Sequence, residues 1–138
     1  MKRGKVRIIT GDVRQLRRFY ERVTGLNPTG DDRYTEFHAP EMTLGIAYHQ
    51  RIDMMAPGAT APASNRSTVL DFEVDDVDHE YKRLREFIGE FVTEPITQPW
   101  GTRSVLFRDP DGNLINFFTR ERTTAETEAA DPPQEYRP

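Results

Sequence analysis

Apolar and polar residues alternate over Lys5-Val6-Arg7-Ile8-Ile9 and again over Val69-Leu70-Asp71-Phe72-Glu73-Val74, and each stretch predicts a β-strand. Val6 and Ile8, like Leu70, Phe72 and Val74, belong to faces that pack inward. Lys5, Arg7 and Ile9, like Val69, Asp71 and Glu73, belong to faces that look away. After each strand the apolar spacing lengthens to that of a helix. Val13, Leu16, Phe19, Tyr20 and Val23 form a stripe closed by Gly25, with Asp12 as N-cap and Gln15 as its capping-box partner. Val77, Tyr81, Leu84, Phe87 and Ile88 form a second stripe, capped by Asp76 or Asp78 and closed by Gly89. Strand-like pieces follow each helix, near 26–29, 33–38 and 42–49 in the first block and near 91–96, 102–108 and 113–119 in the second. Both blocks read β-α-β-β-β, a repeat of pattern and not of residue identity. The expected fold is α+β: two βαβββ modules forming a curved mixed sheet around a concave groove, with the helices on the outer face. A face carrying Lys5, Arg7, Asp71 and Glu73 is too polar for a sealed core, which is why a wet groove is expected.

The first module covers 1–55 and the second 68–120. Residues 56–67 are small, polar and broken by Pro57 and Pro62, so they read as a linker. Residues 121–138 lack an apolar face and contain Pro132-Pro133, so they read as a flexible acidic tail.

Composition narrows the chemistry. The chain has 138 residues and no cysteine, which excludes a disulfide framework, a thiolate metal site and a cysteine nucleophile. The net charge is −4. Five acids and two arginines give the tail −3, leaving −1 for residues 1–120. So neutral a body argues against nucleic acid as a partner, since phosphate binding needs a basic patch. No apolar run approaches the roughly 18 residues of a membrane span. No long apolar run follows the basic Met1–Lys5 either, so no signal peptide is expected and the cytoplasm is the expected compartment.

Four stretches resemble a known superfamily. Asp12-Val13…Phe19-Tyr20…Gly25-Leu26 is similar to the opening of vicinal oxygen chelate proteins, a group that includes glyoxalases, bleomycin-resistance proteins, fosfomycin-resistance enzymes and extradiol dioxygenases. Phe72-Glu73-Val74-Asp75-Asp76-Val77-Asp78 resembles the opening of their second module. Glu94-Pro95, Trp100-Gly101 and Phe107-Arg108-Asp109-Pro110-Asp111-Gly112-Asn113 resemble its later stretches. The last of these also makes sense as a plain tight turn. Pro110 presets φ, Asp109 and Asp111 bond nearby backbone, and Gly112 permits a positive φ, so the two aspartates read as turn formers before catalysts.

The resemblance implies a metal site built from the first and last strands of both modules, with open positions that chelate adjacent substrate oxygens. Carried over residue by residue, those positions hold Lys5, Gly45, Val69 and Asn116. An ammonium, a glycine, a valine and an amide are not a metal-ligand set, so no metal is expected at them and no cofactor is expected at all. A divalent metal is the alternative. His38, His49 and His79 lack ligand spacing with one another and read as ordinary histidines, with His38 and His49 available as groove-lining proton carriers.

The candidate ligand-binding residues are Trp100, Arg7, Asp71, Glu73, Asn116, Phe118, His38 and Tyr48. Trp100 sits in a Pro-Trp-Gly loop, where an indole can stack on a planar molecule. Lys5–Glu73 and Arg7–Asp71 read first as cross-strand ion pairs and second as grips on a polar ligand. Phe37, Tyr48 and Phe107 read as core before pocket. The expected function is metal-independent binding of a small aromatic or antibiotic-like molecule by a homodimer, as in the bleomycin-resistance branch. The alternative is an enzyme, a glyoxalase-type lyase or isomerase or a dioxygenase. Glu73 or Asp71 would then be the general base and Arg7 the oxyanion partner.

Overall fold

The computed structural model describes residues 1–120. The expected tail, 121–138, lies outside them. The elements run β1 (Val6–Thr10), α1 (Val13–Thr24), β2 (Thr29–Gly30), β3 (Tyr34–Ala39), β4 (Met42–Tyr48), α2 (His49–Met55), β5 (Val69–Glu73), α3 (Val77–Leu84), β6 (Ile96–Thr97), β7 (Thr102–Arg108) and β8 (Leu114–Arg120). They form two four-stranded mixed sheets of the same design, ordered β1-β4-β3-β2 and β5-β8-β7-β6. In each, the first strand pairs in parallel with the last, and the other pairings are antiparallel. The fold is therefore α+β with two repeated βαβββ modules. By contact the described residues divide into Met1–Thr68 with Asp109–Asn113, and Val69–Arg108 with Leu114–Arg120.

In the first unit, α1 begins where its sequence says it should. Asp12 accepts the Gln15 amide at 3.0 Å, and Gly25 closes the helix with φ 72°, a left-handed conformation that suits glycine. Val13, Leu16, Tyr20 and Val23 are buried on one stripe. They meet Phe37, Leu44 and Ile46 from the inner face of the sheet. Each such side chain contributes about 1.5–3 kcal/mol on burial. Val6, expected on this face, is 47% exposed because it starts an edge strand. Thr10, at the other end of β1, is fully buried.

Four elements depart from the sequence reading. Residues 49–55 form α2, where the pattern showed only the end of a strand. β2 and β6 shrink to two residues each. The stretch near 91–96 is held instead by Val92 and Thr93 donating to the Leu106 carbonyl, at 2.8 and 3.2 Å. Finally, α3 ends at Leu84, and Gly89 does not close it. Phe87 and Ile88 continue as turns bonded back to the Leu84 carbonyl, so the apolar stripe persists after the regular helix stops. Phe91 packs edge-on with Tyr81 and Phe107, and Phe107 with Phe117, at 4.9, 5.9 and 5.3 Å between centroids. This aromatic row, with Leu70, Val105 and Ile115, is the core of the second unit.

The Asp109–Asn113 turn is organised by one carboxylate. Asp109, 5% exposed, accepts from the Asp111 and Asn113 amides, both at 2.9 Å, from the Asn113 side-chain amide at 2.8 Å and from the Tyr20 hydroxyl at 2.6 Å. Burial, above all, and the adjacent Asp109 charge push the Tyr20 phenol well above its usual pKa. Asp111 also leans upward. Burial is the main cause, Thr10 partly offsets it, and Asp109 and Asp12 add repulsion. A raised carboxyl favours the fold when protonated and weakens it once pH rises through the folded pKa. Asp111→Asn is therefore expected to stabilise the protein at pH 7 by about 0.5 kcal/mol, after allowance for solvent screening, and to lose that gain below about pH 3. Urea melts of both proteins at pH 7 and pH 3 read the difference, and a variant less stable at pH 7 contradicts it.

Candidate functional site

Alternation along β3 separates two sets of side chains. Thr35 and Phe37 are buried on the α1 side, while Tyr34, Glu36 and His38 emerge on the opposite face. The register sets Glu36 beside Gly45 and Gly45 beside Arg7. Lys5, just before β1, reaches the same face. Its ammonium donates to Glu36 Oε2 at 2.7 Å and to the Tyr34 hydroxyl at 2.8 Å, and that hydroxyl donates in turn to Glu36 Oε2. His38 Nε2 lies 3.3 Å from Glu36 Oε1, and Thr43 Oγ1 lies 3.3 Å from His38 Nδ1. Lys5, Tyr34, Glu36, His38 and Thr43 thus form one hydrogen-bonded row.

The electrostatics of the row follow from its bonds. Lys5 and the Tyr34 hydroxyl hold the Glu36 carboxyl below its usual pKa, and Glu36, then Tyr34, raise Lys5. At neutral pH this is a carboxylate against an ammonium. A carboxylate lowered in this way is a poor proton acceptor, so the row suits holding a ligand better than moving a proton. Positive charge also gathers on the Tyr34 ring, with Lys5 Nζ 5.1 Å, Arg7 Cζ 6.0 Å and Arg51 Cζ 5.9 Å from its centroid.

Gly45 explains how Tyr34 fits. A Cβ there would sit 2.8 Å from the Tyr34 oxygen and 3.3–3.4 Å from ring carbons. Tyr34 occupies the space that a last-strand side chain would enter. Of the four positions where the superfamily resemblance implies metal ligands, Lys5 is a hydrogen-bonded ammonium and Gly45 is covered by a phenol. Val69 is an apolar side chain that is 45% exposed, and Asn116 donates its amide to Asp71 Oδ1 at 2.9 Å. These residues do not fit a divalent ion. Among the described residues, no group of three or more His, Asp or Glu is placed to hold one.

The expected ligand residues fall into four places. Arg7 and His38 share the Tyr34 face. Tyr48 pairs with Thr10 and by alternation lies on the other side of that sheet, so the structure separates it from His38. In the second unit, Asp71 sits beside Asn116, and Glu73 beside Phe118, on the face turned from Leu70 and Phe117. The Asn116 side-chain oxygen there is buried without a partner among the described residues. Trp100 occupies the tip of the β6–β7 hairpin, where Gly101 takes φ 98° and its amide closes the turn on the Gln98 carbonyl at 2.9 Å. Within its own unit Lys5 bonds Glu36, and within its own unit Asp71 takes the Asn116 amide. His49 lies 3.6 Å from Asp53 within α2, and His79 lies exposed in the first turn of α3.

The sequence reading missed Tyr34 and Glu36. Their signal was the Tyr34-Thr35-Glu36-Phe37-His38 alternation, which already sorts the polar residues from the core.

Solved structures share this architecture. A glyoxalase/bleomycin resistance protein/dioxygenase from Nocardioides is 23% identical, with 88% of this chain and 85% of that one covered at a TM-score of 0.73. A family enzyme from Burkholderia phytofirmans PsJN is 18% identical, with coverage of 84% and 96% and a TM-score of 0.74. A lactoylglutathione lyase from Agrobacterium tumefaciens is 22% identical, with coverage of 83% and 90% and a TM-score of 0.63. At these identities the likeness is one of fold. Among curated proteins there is no match. The Glyoxalase/Bleomycin resistance protein/Dioxygenase superfamily model matches residues 2–117, which takes in both βαβββ repeats, and the chain belongs to that superfamily.

Proposed function

We propose that this protein is a metal-independent binder of a small polar or aromatic molecule, and that it works as a homodimer in the cytoplasm. The observation that carries the reading is the Lys5–Tyr34–Glu36 row with Tyr34 packed over Gly45. Two features support it: an ammonium, Lys5, stands at one implied ligand position with the Tyr34 phenol beside another, and the Glu36 carboxyl they bond has a lowered pKa. The ligand-binding surfaces in this reading are the Arg7–Tyr34–His38 face of the first unit and, in the second, Asp71, Glu73, Asn116, Phe118 and the Trp100 hairpin. Among the described residues, no helix is long and apolar enough to cross a membrane.

The test is thermal unfolding of chelator-treated protein with and without nickel, zinc, manganese, iron(II) and cobalt. A native-state site filled to 100 times its Kd adds about 2.7 kcal/mol. For a domain of this size that is roughly 3–6 °C. The expected result is no such shift for any metal. A shift that large for one of them overturns the reading and makes a lyase, isomerase or dioxygenase the better account.

A further inference from the structure

The first unit carries a second polar cleft, of about 850 Å³, walled by the first turn of α1, the turn between β2 and β3, and α2. Three carboxylates reach it, and each already has donors. Asp12 accepts the Gln15 amide at 3.0 Å, and Asp31 accepts the Arg33 and Tyr34 amides at 2.8 and 3.1 Å. Asp32 takes Arg14 and Arg17, each at 2.8 Å. Arg33 and Arg51 are different. Both are exposed, both line the cleft, and neither forms an ion pair among the described residues. Both charges are felt at Asp31, whose carboxyl is lowered first by the two amides and then by Arg51 and Arg33. Two other walls are organic in character: the half-buried Tyr48 ring, and Met54, which is 83% exposed.

We propose that this cleft binds a small organic acid, its anionic head held between Arg33 and Arg51 and its carbon body laid against Tyr48 and Met54. A guanidinium presents a planar fork of donors that matches a carboxylate or a phosphate, and two of them fix both the charge and the orientation of the head. The carboxylates do not repel such a ligand strongly, because each is tied to donors of its own. Counting Arg17 behind Asp32, four arginines face three carboxylates. The site is separate from the Lys5–Glu36 row, yet Arg51 touches both, since its guanidinium lies over the Tyr34 ring.

Calorimetric titration of the full chain with phenylacetate, phenyl phosphate and inorganic phosphate tests this. The expected result is saturable binding of at least one aromatic anion. Arg33→Gln and Arg51→Gln should each weaken it about tenfold or more, while Arg18→Gln, on an exposed part of α1 outside the cleft, leaves it unchanged. Whether phenylacetate or phenyl phosphate binds tighter identifies the head group. Both cleft arginines are exposed, so their substitution leaves the core intact, and melting curves of the variants check that. No saturable binding below about 10 mM overturns the proposal. So does binding indifferent to both arginines, or inorganic phosphate binding as tightly as phenyl phosphate, which would leave the Tyr48 and Met54 walls without a part.

Discussion

Replacing Asp109 by alanine is expected to cost about 3–5 kcal/mol, the largest effect of any single polar substitution in the described structure. The size follows from what the carboxylate holds. Its two oxygens accept four hydrogen bonds, two from the backbone of its own turn, one from Asn113 and one from Tyr20. Asp109 and Asn113 are both buried, and Tyr20 is wholly so. Without the carboxylate, the Tyr20 hydroxyl and the Asn113 amide stay in the interior with no acceptor, which costs more than the net worth of the bonds themselves. Tyr20→Phe removes one donor and leaves Asp109 three others, so it should cost only about 1–2 kcal/mol. Urea denaturation followed by circular dichroism gives both values. An Asp109→Ala loss under about 1.5 kcal/mol, or a Tyr20→Phe loss equal to it, would show that the carboxylate does not organise the turn.

Much of this was legible in the chain, because it is encoded locally. Asp12 with Gln15, Asp76 before α3, and Gly25 are caps whose partners lie within a few residues. The Asp109-Pro110-Asp111-Gly112-Asn113 turn is equally local, apart from Tyr20, 89 residues away, which spacing cannot reveal. α2 was invisible for a physical reason. It is seven residues long, has no side-chain cap and buries none of its residues, so no stripe announces it. The early end of α3 was hidden by the opposite effect: Phe87 and Ile88 keep helical spacing while their backbone turns. The site divides the same way. Alternation placed Lys5 and Arg7 on a polar face, but their neighbours depend on strand register. That register sets Gly45 beside Arg7 and Glu36 beside Gly45, neighbours that spacing along the chain does not supply. The residue types at the four implied ligand positions could be read directly. That a tyrosine occupies the space beside Gly45 could not.

That space supports the other large prediction, a change of sign. Gly45→Ala alone is expected to destabilise the protein by about 1–3 kcal/mol, because the new methyl meets the Tyr34 ring and must displace it. Displacing the ring breaks its bonds to Lys5 and Glu36 together. Gly45 has no positive φ to protect, and it lies within a strand paired on both sides. Backbone conformation therefore gives no reason for glycine. Once Tyr34→Ala has cleared the ring, the same Gly45→Ala change should stabilise by about 0.4–1 kcal/mol, through the lower entropy of the unfolded chain. A double-mutant cycle in urea measures the coupling, expected at about 1.4–4 kcal/mol. Coupling near zero would mean that Gly45 is glycine for some reason other than Tyr34, and the phenol would then no longer explain the missing last-strand ligand. A full reversal of sign ties the two residues together, and ties the Lys5–Tyr34–Glu36 row to the glycine it packs over.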